Sequence, residues 1–593
     1  MAIPPQVVSV HSVITDNANP VSLIVAALKR DRSPYVVLTA ANTYSGGTYV
    51  DSSNNGGILL NGSGVTIPAG GLTINNGSYV TMATNAGQID SSNIVTINGG
   101  GTLNLMGTNT LAGIVFNSNG GTATPMVVPY ITITAPADYN WGSFGAKTGT
   151  LKLAATGYIT STPTNVAVTP LIDSGFLDLN GTATHDITVA AMPEGNYVNT
   201  NTPLNGLTIS SVIQNGGFTK KGAGVLNLTS GSSTYAGQLT VEEGVLNVPS
   251  VNNVSANGAL GNSPNAVILG GTGKTGTLEV TATTSGSKPF TMATGGTGAF
   301  QIDTGTTTLS GQIDGGGGLA KTGAGTLNLS NAVNTYSGDT KVNAGTLKLT
   351  TAGNNNIANS AKIIVGGGAI LDVSAVTGTG GFQVVNGQTL GGNGTISGTV
   401  TVNAGGTLSP GASAGTLTLN NVLTFANGGN TWVAELLGTD DRVNVSGALT
   451  LGDTTALEFV LDPANPFQAG SYTLASYGTL TGTFFSVTGL GAYSTGVNYG
   501  SGTSDAITLQ VLAGLLAGDA NLDRNTNALD YVVVSNNYNV GSKWTEGDVN
   551  GDGVVNALDY VEISNNYGLH APEPATLALL GLGGLGLLRR KRR

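Results

Sequence analysis

Two clusters of Asp and Asn near the end of this 593-residue chain carry its sharpest chemistry. In one, Asp548, Asn550 and Asp552 sit two apart, Gly553 follows, the carbonyl of Val554 comes next and Asp559 closes the run. These are offsets 1, 3, 5, 6, 7 and 12 of a loop that wraps hard oxygens round a Ca²⁺ ion, with glycine at the sharp turn and an acid at the last position. The other cluster begins 29 residues earlier and repeats the donors as Asp519, Asn521, Asp523, the Asn525 carbonyl and Asp530. Arg524 stands there in place of the turn glycine, adding positive-φ strain and a cation beside the ion. The first loop is therefore expected to bind more weakly. A solvated Asx-rich turn is the bland reading of one such loop, but two in tandem meet the positional demands of an ion twice over.

Each cluster runs into a helix-like stretch, 532–538 and 561–567. A duplicated Ca²⁺ loop, each copy followed by one short helix, resembles a type I dockerin over about 517–568, within a module placed at 513–569. The resemblance implies a cohesin-like partner, often recognised through Ser or Thr at loop positions 10 and 11. Here those positions hold Ala528-Leu529 and Ala557-Leu558, a departure that favours a metal-stabilised spacer over cohesin docking.

The chain ends, over 570–593, in Pro572-Glu573-Pro574, an uncharged run from 575 to 588, and Arg589-Arg590-Lys591-Arg592-Arg593. A helix of about fourteen residues rises about 21 Å, short of the roughly 30 Å of hydrocarbon in a bilayer, which suits a sorting segment better than a permanent anchor. The three parts in this order resemble a PEP-CTERM sorting signal. That resemblance implies an exosortase-type membrane peptidase as partner and a transient stay of the tail helix in the inner membrane, with the basic tip cytoplasmic. It also implies release to the cell surface or extracellular matrix of a bacterium with an outer membrane. An ordinary short tail anchor is the alternative.

What precedes these segments is built on alternation. The stretch 316–349 contains Gly325-Thr326-Leu327-Asn328-Leu329 and Gly345-Thr346-Leu347-Lys348-Leu349, a period of two that belongs to strands with one buried face. Asn334-Thr335-Tyr336-Ser337-Gly338 lies between, where Asn and Gly allow a tight corner. The same text occurs 101 positions earlier, from Lys220-Lys221-Gly222 through Tyr235 to Val248, and a partial copy stands at Asn42-Thr43-Tyr44-Ser45-Gly46. Repeated short strands and glycine corners predict a stacked β architecture.

This pattern resembles the autotransporter-associated β-strand repeat, which implies a right-handed parallel β-helix. The fold class expected is all-β: that solenoid over 36–429, a β cap over 430–512, the small α-helical pair of calcium loops and the hydrophobic sorting helix. At roughly 20 residues per coil the solenoid would hold fifteen to twenty coils. The segment 125–163, with Tyr130, Tyr139 and Trp141, reads as a lateral excursion, and residues 506–511 as the last strand. Residues 1–35 lack the basic start and well-placed apolar run of a secretory leader, so a clipped or misassigned start is expected. Nothing after Val511 reads as the ten-residue alternating strands of a translocator barrel.

Composition excludes several chemistries. There is no cysteine, hence no disulfide frame or thiolate site. Charged residues are 9% and the net charge is −11; the last five residues contribute +5 of it, leaving −16 for the body, which gives nucleic acid no footprint. The histidines, His11, His185 and His570, are scattered and are expected at the surface, none beside a serine elbow. Asp440-Asp441 read as a hairpin turn before a catalytic pair, and Tyr44, Tyr235 and Tyr336 as packing residues before a sugar-stacking ladder. The function expected is a non-catalytic, structural or adhesive protein of the cell surface, with surface glycans as candidate ligands. A β-helical polysaccharide lyase or hydrolase bearing the same module, or a carbohydrate-binding protein, is the alternative.

Overall fold

The computed structural model describes residues 7–26, 35–51, 56–83, 85–118, 123–129, 149–165, 167–181, 184–193, 205–353, 355–411, 415–436, 441–461, 470–489, 495–511, 518–521, 523, 525–541, 544–549 and 554–569. Strands dominate, and the alternation in the repeats fixes which side is inside. Leu327, Leu329, Leu347 and Leu349 are at most 1% exposed, while Asn328 and Lys348 between them reach solvent. The chain divides into two compact units, Met1–Asp339 with Gly345–Leu347, and Thr340–Ala344 with Lys348–Arg593.

In the first unit, parallel strands stack coil upon coil. Tyr35–Leu38 pairs with Gly57–Leu60, that with Tyr79–Met82, and that with Thr102–Asn104, all in parallel register. Ile58, Val80, Leu103, Val127, Ile172 and Ile209 consequently lie one above another in a single buried column. Each such side chain contributes about 1.5–3 kcal/mol on leaving water. The coil takes 22 or 23 residues from Ile58 to Leu103 and 19 or 20 from Leu207 to Leu246. Between Leu246 and Leu278 it takes 32. These pairings make a parallel β-helix.

The strand Thr150–Thr162 corrects the expectation of a lateral excursion over 125–163. Its first half pairs with Phe176–Asp178 and its second with Thr184–Val189, so it bends from one pairing partner to another. Met126–Val128 also belongs to the stack. Against Thr108–Asn117 the register jumps from Leu111↔Leu153 to Gly113↔Tyr158, which leaves residues 154–157 as a bulge. Tyr130, Tyr139 and Trp141 lie outside the described residues.

The interior holds two surprises. His185, expected at the surface, is 1% exposed, with Nδ1 2.7 Å from the Gly157 carbonyl and Nε2 2.9 Å from that of Leu179. Its neighbours Ile187 and Val189 alternate inward with it, so the strand register buries it. Lys220 and Lys321, the lysines of the two full repeats, are also buried completely. The Lys220 ammonium donates to the carbonyls of Gly222, Glu243 and Lys221, and Lys321 to those of Thr322 and Gly323. Gly222 and Gly323 turn at φ of +73° and +76°, and a Cβ there would stand 2.5 or 2.4 Å from a carbonyl oxygen of the neighbouring coil. The repeat thus needs glycine for the approach and lysine to satisfy the carbonyls that the approach crowds together. Tyr44, Tyr235 and Tyr336 are at most 1% exposed, as packing residues should be.

In the second unit, parallel pairing continues through Asn430–Leu436, Thr455–Leu461 and Ser486–Thr488, beyond the point where the cap was expected to begin. Trp432 is buried there, stacked on Phe425 and edge-on to Phe484. Antiparallel pairing enters with Gly470–Thr481 and Thr503–Val511, the latter also carrying Thr495–Asn498. The hairpin of Thr495–Asn498 and Thr503–Val511 covers the edge of Gly470–Thr481, itself paired to the last coil. Asp441 marks no hairpin, because Asn430–Leu436 and Arg442–Val445 pair with different partners; it is a corner. Asp440 lies outside the described residues.

Candidate metal centre

Two helices, α1 (Ala528–Asn537) and α2 (Ala557–Asn565), follow the two Asp/Asn clusters. They start earlier than expected, because Asn527 and Asn556 are N-caps in almost identical extended conformations. In each a capping box is closed: the Asn side chain accepts from the helix, and Asp530 or Asp559 accepts at 2.8 Å from the cap's own amide. The acid at loop position 12 is therefore also the third residue of its helix. This dual placement was not visible in the spacing alone.

Amides arrange the first loop. The Asp530 Oδ1 accepts from Asn521 N at 3.0 Å, and Asp519 Oδ1 accepts from Asp523 N at 3.1 Å. Asn521 Oδ1 accepts from Asp523 N at 2.9 Å, and Asp523 Oδ1 accepts from Asn525 N at 2.9 Å. Asp519, Asn521, Asp523, Asn525 and Asp530 are thereby gathered round one short ring of hydrogen bonds. In the second loop Asp548 and Asp559 are buried, and the Val554 carbonyl accepts from Asn556 Nδ2 at 2.9 Å. Asn550 and Asp552 lie outside the described residues, as do Pro572, Glu573, Pro574, Arg589 and Arg590. Among the described residues no three carboxylates or imidazoles converge as a ready-made metal cage. What the first loop brings together is a mixed set of carboxylate, amide and backbone oxygens.

Asp519, Asp530, Asp548 and Asp559 are 1%, 0%, 4% and 0% exposed. Four buried carboxylates in so small a module carry a heavy desolvation cost, which a hard divalent cation held by oxygens offsets. The donor set fits such an ion.

The two halves exchange contacts. A Cβ on Gly518, before the first loop, would meet the backbone of Ile563 in α2, and one on Gly547 would meet that of Val534 in α1. Gly568 N donates to Thr526 O and Asn539 N to Val555 O, both at 2.8 Å, which is the same bond made in each direction. Ala520, Val534, Val549, Val555 and Ile563 form the shared core. Beside it Tyr531 and Tyr560 stack at 5.8 Å, with Tyr567 on one and Tyr538 on the other at 6.1 and 5.9 Å. Ala528, Leu529, Ala557 and Leu558, at positions 10 and 11, are exposed.

Three family models match the chain. The Passenger-associated-transport-repeat matches 36–52, 218–248 and 319–349; the Dockerin type I domain matches 517–568; and the PEP-CTERM protein-sorting motif matches 570–593. The Adhesin BmaC autotransporter of Brucella suis biovar 1 (strain 1330) is 29% identical over 226 residues, 36% of this chain. The chain spans only 6% of that relative's length. Among the described residues no helix is long and apolar enough to cross a membrane. The chain is thus an exported protein of the cell surface or extracellular space, a parallel β-helix carrying passenger-associated transport repeats, a Dockerin type I domain and a PEP-CTERM sorting motif.

Proposed function

We propose that this protein is a non-catalytic structural or adhesive element of the cell surface. Its coils present a contact surface, and its dockerin-like module is held rigid by two Ca²⁺ ions. Asp548, Asn550, Asp552, Val554 and Asp559 are the proposed ligands of one ion, and Asp519, Asn521, Asp523, Asn525 and Asp530 of the other. An exosortase-type peptidase acting at Pro572-Glu573-Pro574 is part of the same reading, as are module boundaries at 36, 430, 513 and 570. A relative named as an adhesin, 29% identical over 226 residues, supports the adhesive role.

The observation that carries the reading is how the acids are used. Asp441, the only described member of the carboxylate pair in the coils, accepts from Gly415 N and Glu435 N and is fully buried. Such an acid staples a corner and has no lone pair facing a substrate. The buried acids at loop positions 1 and 12 recur in both halves of the module instead. Calorimetric titration of the full chain with Ca²⁺ tests the metal reading: two binding events are expected, the tighter one lost in Asp559→Ala. Absence of any binding heat sinks it. Sustained release of sugars from a panel of polysaccharides by the purified chain would overturn the non-catalytic reading.

A further inference from the structure

We infer that the bulged corner of the coil at Thr150–Thr162 is a binding site for a neutral pyranose unit of a surface glycan. The bulge at 154–157 pushes the chain outward and leaves a recess of ≈ 290 Å³ lined by Thr156, Gly157, Tyr158, Thr184, Asp186 and Thr188. That volume lies near the lower end of ordinary ligand pockets, roughly 300 Å³ upward, and suits one sugar ring better than a long chain.

The lining has the chemistry a sugar requires. Tyr158 is partly exposed, and its ring lies over buried Gly113 of the adjacent coil, where a Cβ would stand 3.2 Å from the phenol carbon. One face of the ring is thereby supported by backbone, leaving the other to stack on the C–H face of a pyranose. Asp186 points outward from the same strand that buries His185 and Ile187, and accepts from Lys221 Nζ at 2.8 Å. The ion pair neutralises the carboxylate's charge while leaving acceptor positions for vicinal sugar hydroxyls. Among the described residues no side chain engages the hydroxyls of Thr156, Tyr158, Thr184 or Thr188, so four further hydrogen-bonding groups face the recess. Beneath it, His185 Nδ1 meets the carbonyl of Gly157, which pins the bulge to the next coil.

This site is independent of the calcium module. The test is isothermal titration of the full chain with galacto-, gluco- and manno-oligosaccharides and, in parallel, with a polyuronate. Saturable binding of at least one neutral series is expected, weakened tenfold or more by Tyr158→Ala and by Asp186→Asn, and unchanged by chelation of Ca²⁺. Circular dichroism and thermal melts matching the parent establish that both variants are folded; if either is not, Thr188→Val serves as the reading, with a several-fold loss. Binding of no neutral glycan overturns the proposal. So does binding that survives all the folded variants, and so does binding of the polyuronate alone with dependence on Lys221.

Discussion

Around Ile58, Val80 and Leu103 every inward side chain rests on its counterpart one coil away, and the column continues through Val127, Ile172 and Ile209. Among its described residues, the loop–helix pair at 518–569 has a core of five buried apolar residues and four buried carboxylates. The first region repeats a small stabilising contact many times, in the manner of stacked repeats whose stability sums over neighbours. The second is a module of about fifty residues, the size at which domains commonly turn to metals or disulfides. The chain has no cysteine, and the Ca²⁺ proposed above would supply that support. One chain thus joins a frame held by stacking to a module for which an ion is the proposed support.

The largest expected effect breaks this comparison directly. Chelation should abolish the near-ultraviolet dichroism of the stacked tyrosines, Tyr531 with Tyr560 and their neighbours, while the β signal of the coils stays unchanged. Loss of both signals together would show that the coils also depend on metal. Asp530→Ala and Asp559→Ala should each weaken Ca²⁺ binding at their own loop about a hundredfold, roughly 2.7 kcal/mol.

Next in size is the glycine corner of the repeat. Gly345→Ala would place a Cβ 2.4 Å from the carbonyl oxygens of Gly323 and Gly325 at φ of +63°. A loss of about 3 kcal/mol in chemical denaturation is expected, without effect on Ca²⁺ titration.

A third measurement uses pH. Burial pushes Lys220, Lys288 and Lys321 down to about 8 from an ordinary value near 10.5. Below pH 8 both folded and unfolded chains hold these protons. Between about 8 and 10.5 the unfolded chain holds more, so stability should rise with pH across that window and level off above it, by about 1–3 kcal/mol per lysine. Denaturation of parent and Lys321→Met at pH 7.5 and 10 checks this; the variant should show a smaller rise.

The smallest effect is expected from Lys348→Ala, which removes a partly exposed pair with Asp372 at 3.2 Å. A change within about 0.5 kcal/mol should follow.

The alternation in Thr326–Leu329 and the doubled text around Lys220 and Lys321 made the strands and their inward faces legible, because both are local. The loop donors were legible for the same reason, since all the positions of one ion loop fall within a dozen residues. The place of Asp530 in the capping box of Asn527 was not, because that bond shows only when the backbone turns. His185 was misplaced by its polarity, and the burial of the repeat lysines had no local signal: their partners include carbonyls brought close by neighbouring coils, such as Glu243 O for Lys220, 23 residues away. The bulge at 154–157 escaped notice because Ala154-Ala155-Thr156-Gly157 continues the local composition without a break. Only its pairing with Thr108–Asn117 reveals the extra residues.

The 32 residues between Leu246 and Leu278 stand beside turns of the chain that need only 20, yet Val245↔Thr277 and Val248↔Val280 keep perfect step on either side of them. Growth at a corner is therefore decoupled from the ladder. Such a scaffold can lengthen, shorten or exchange its corner segments by insertion while its frame stays fixed.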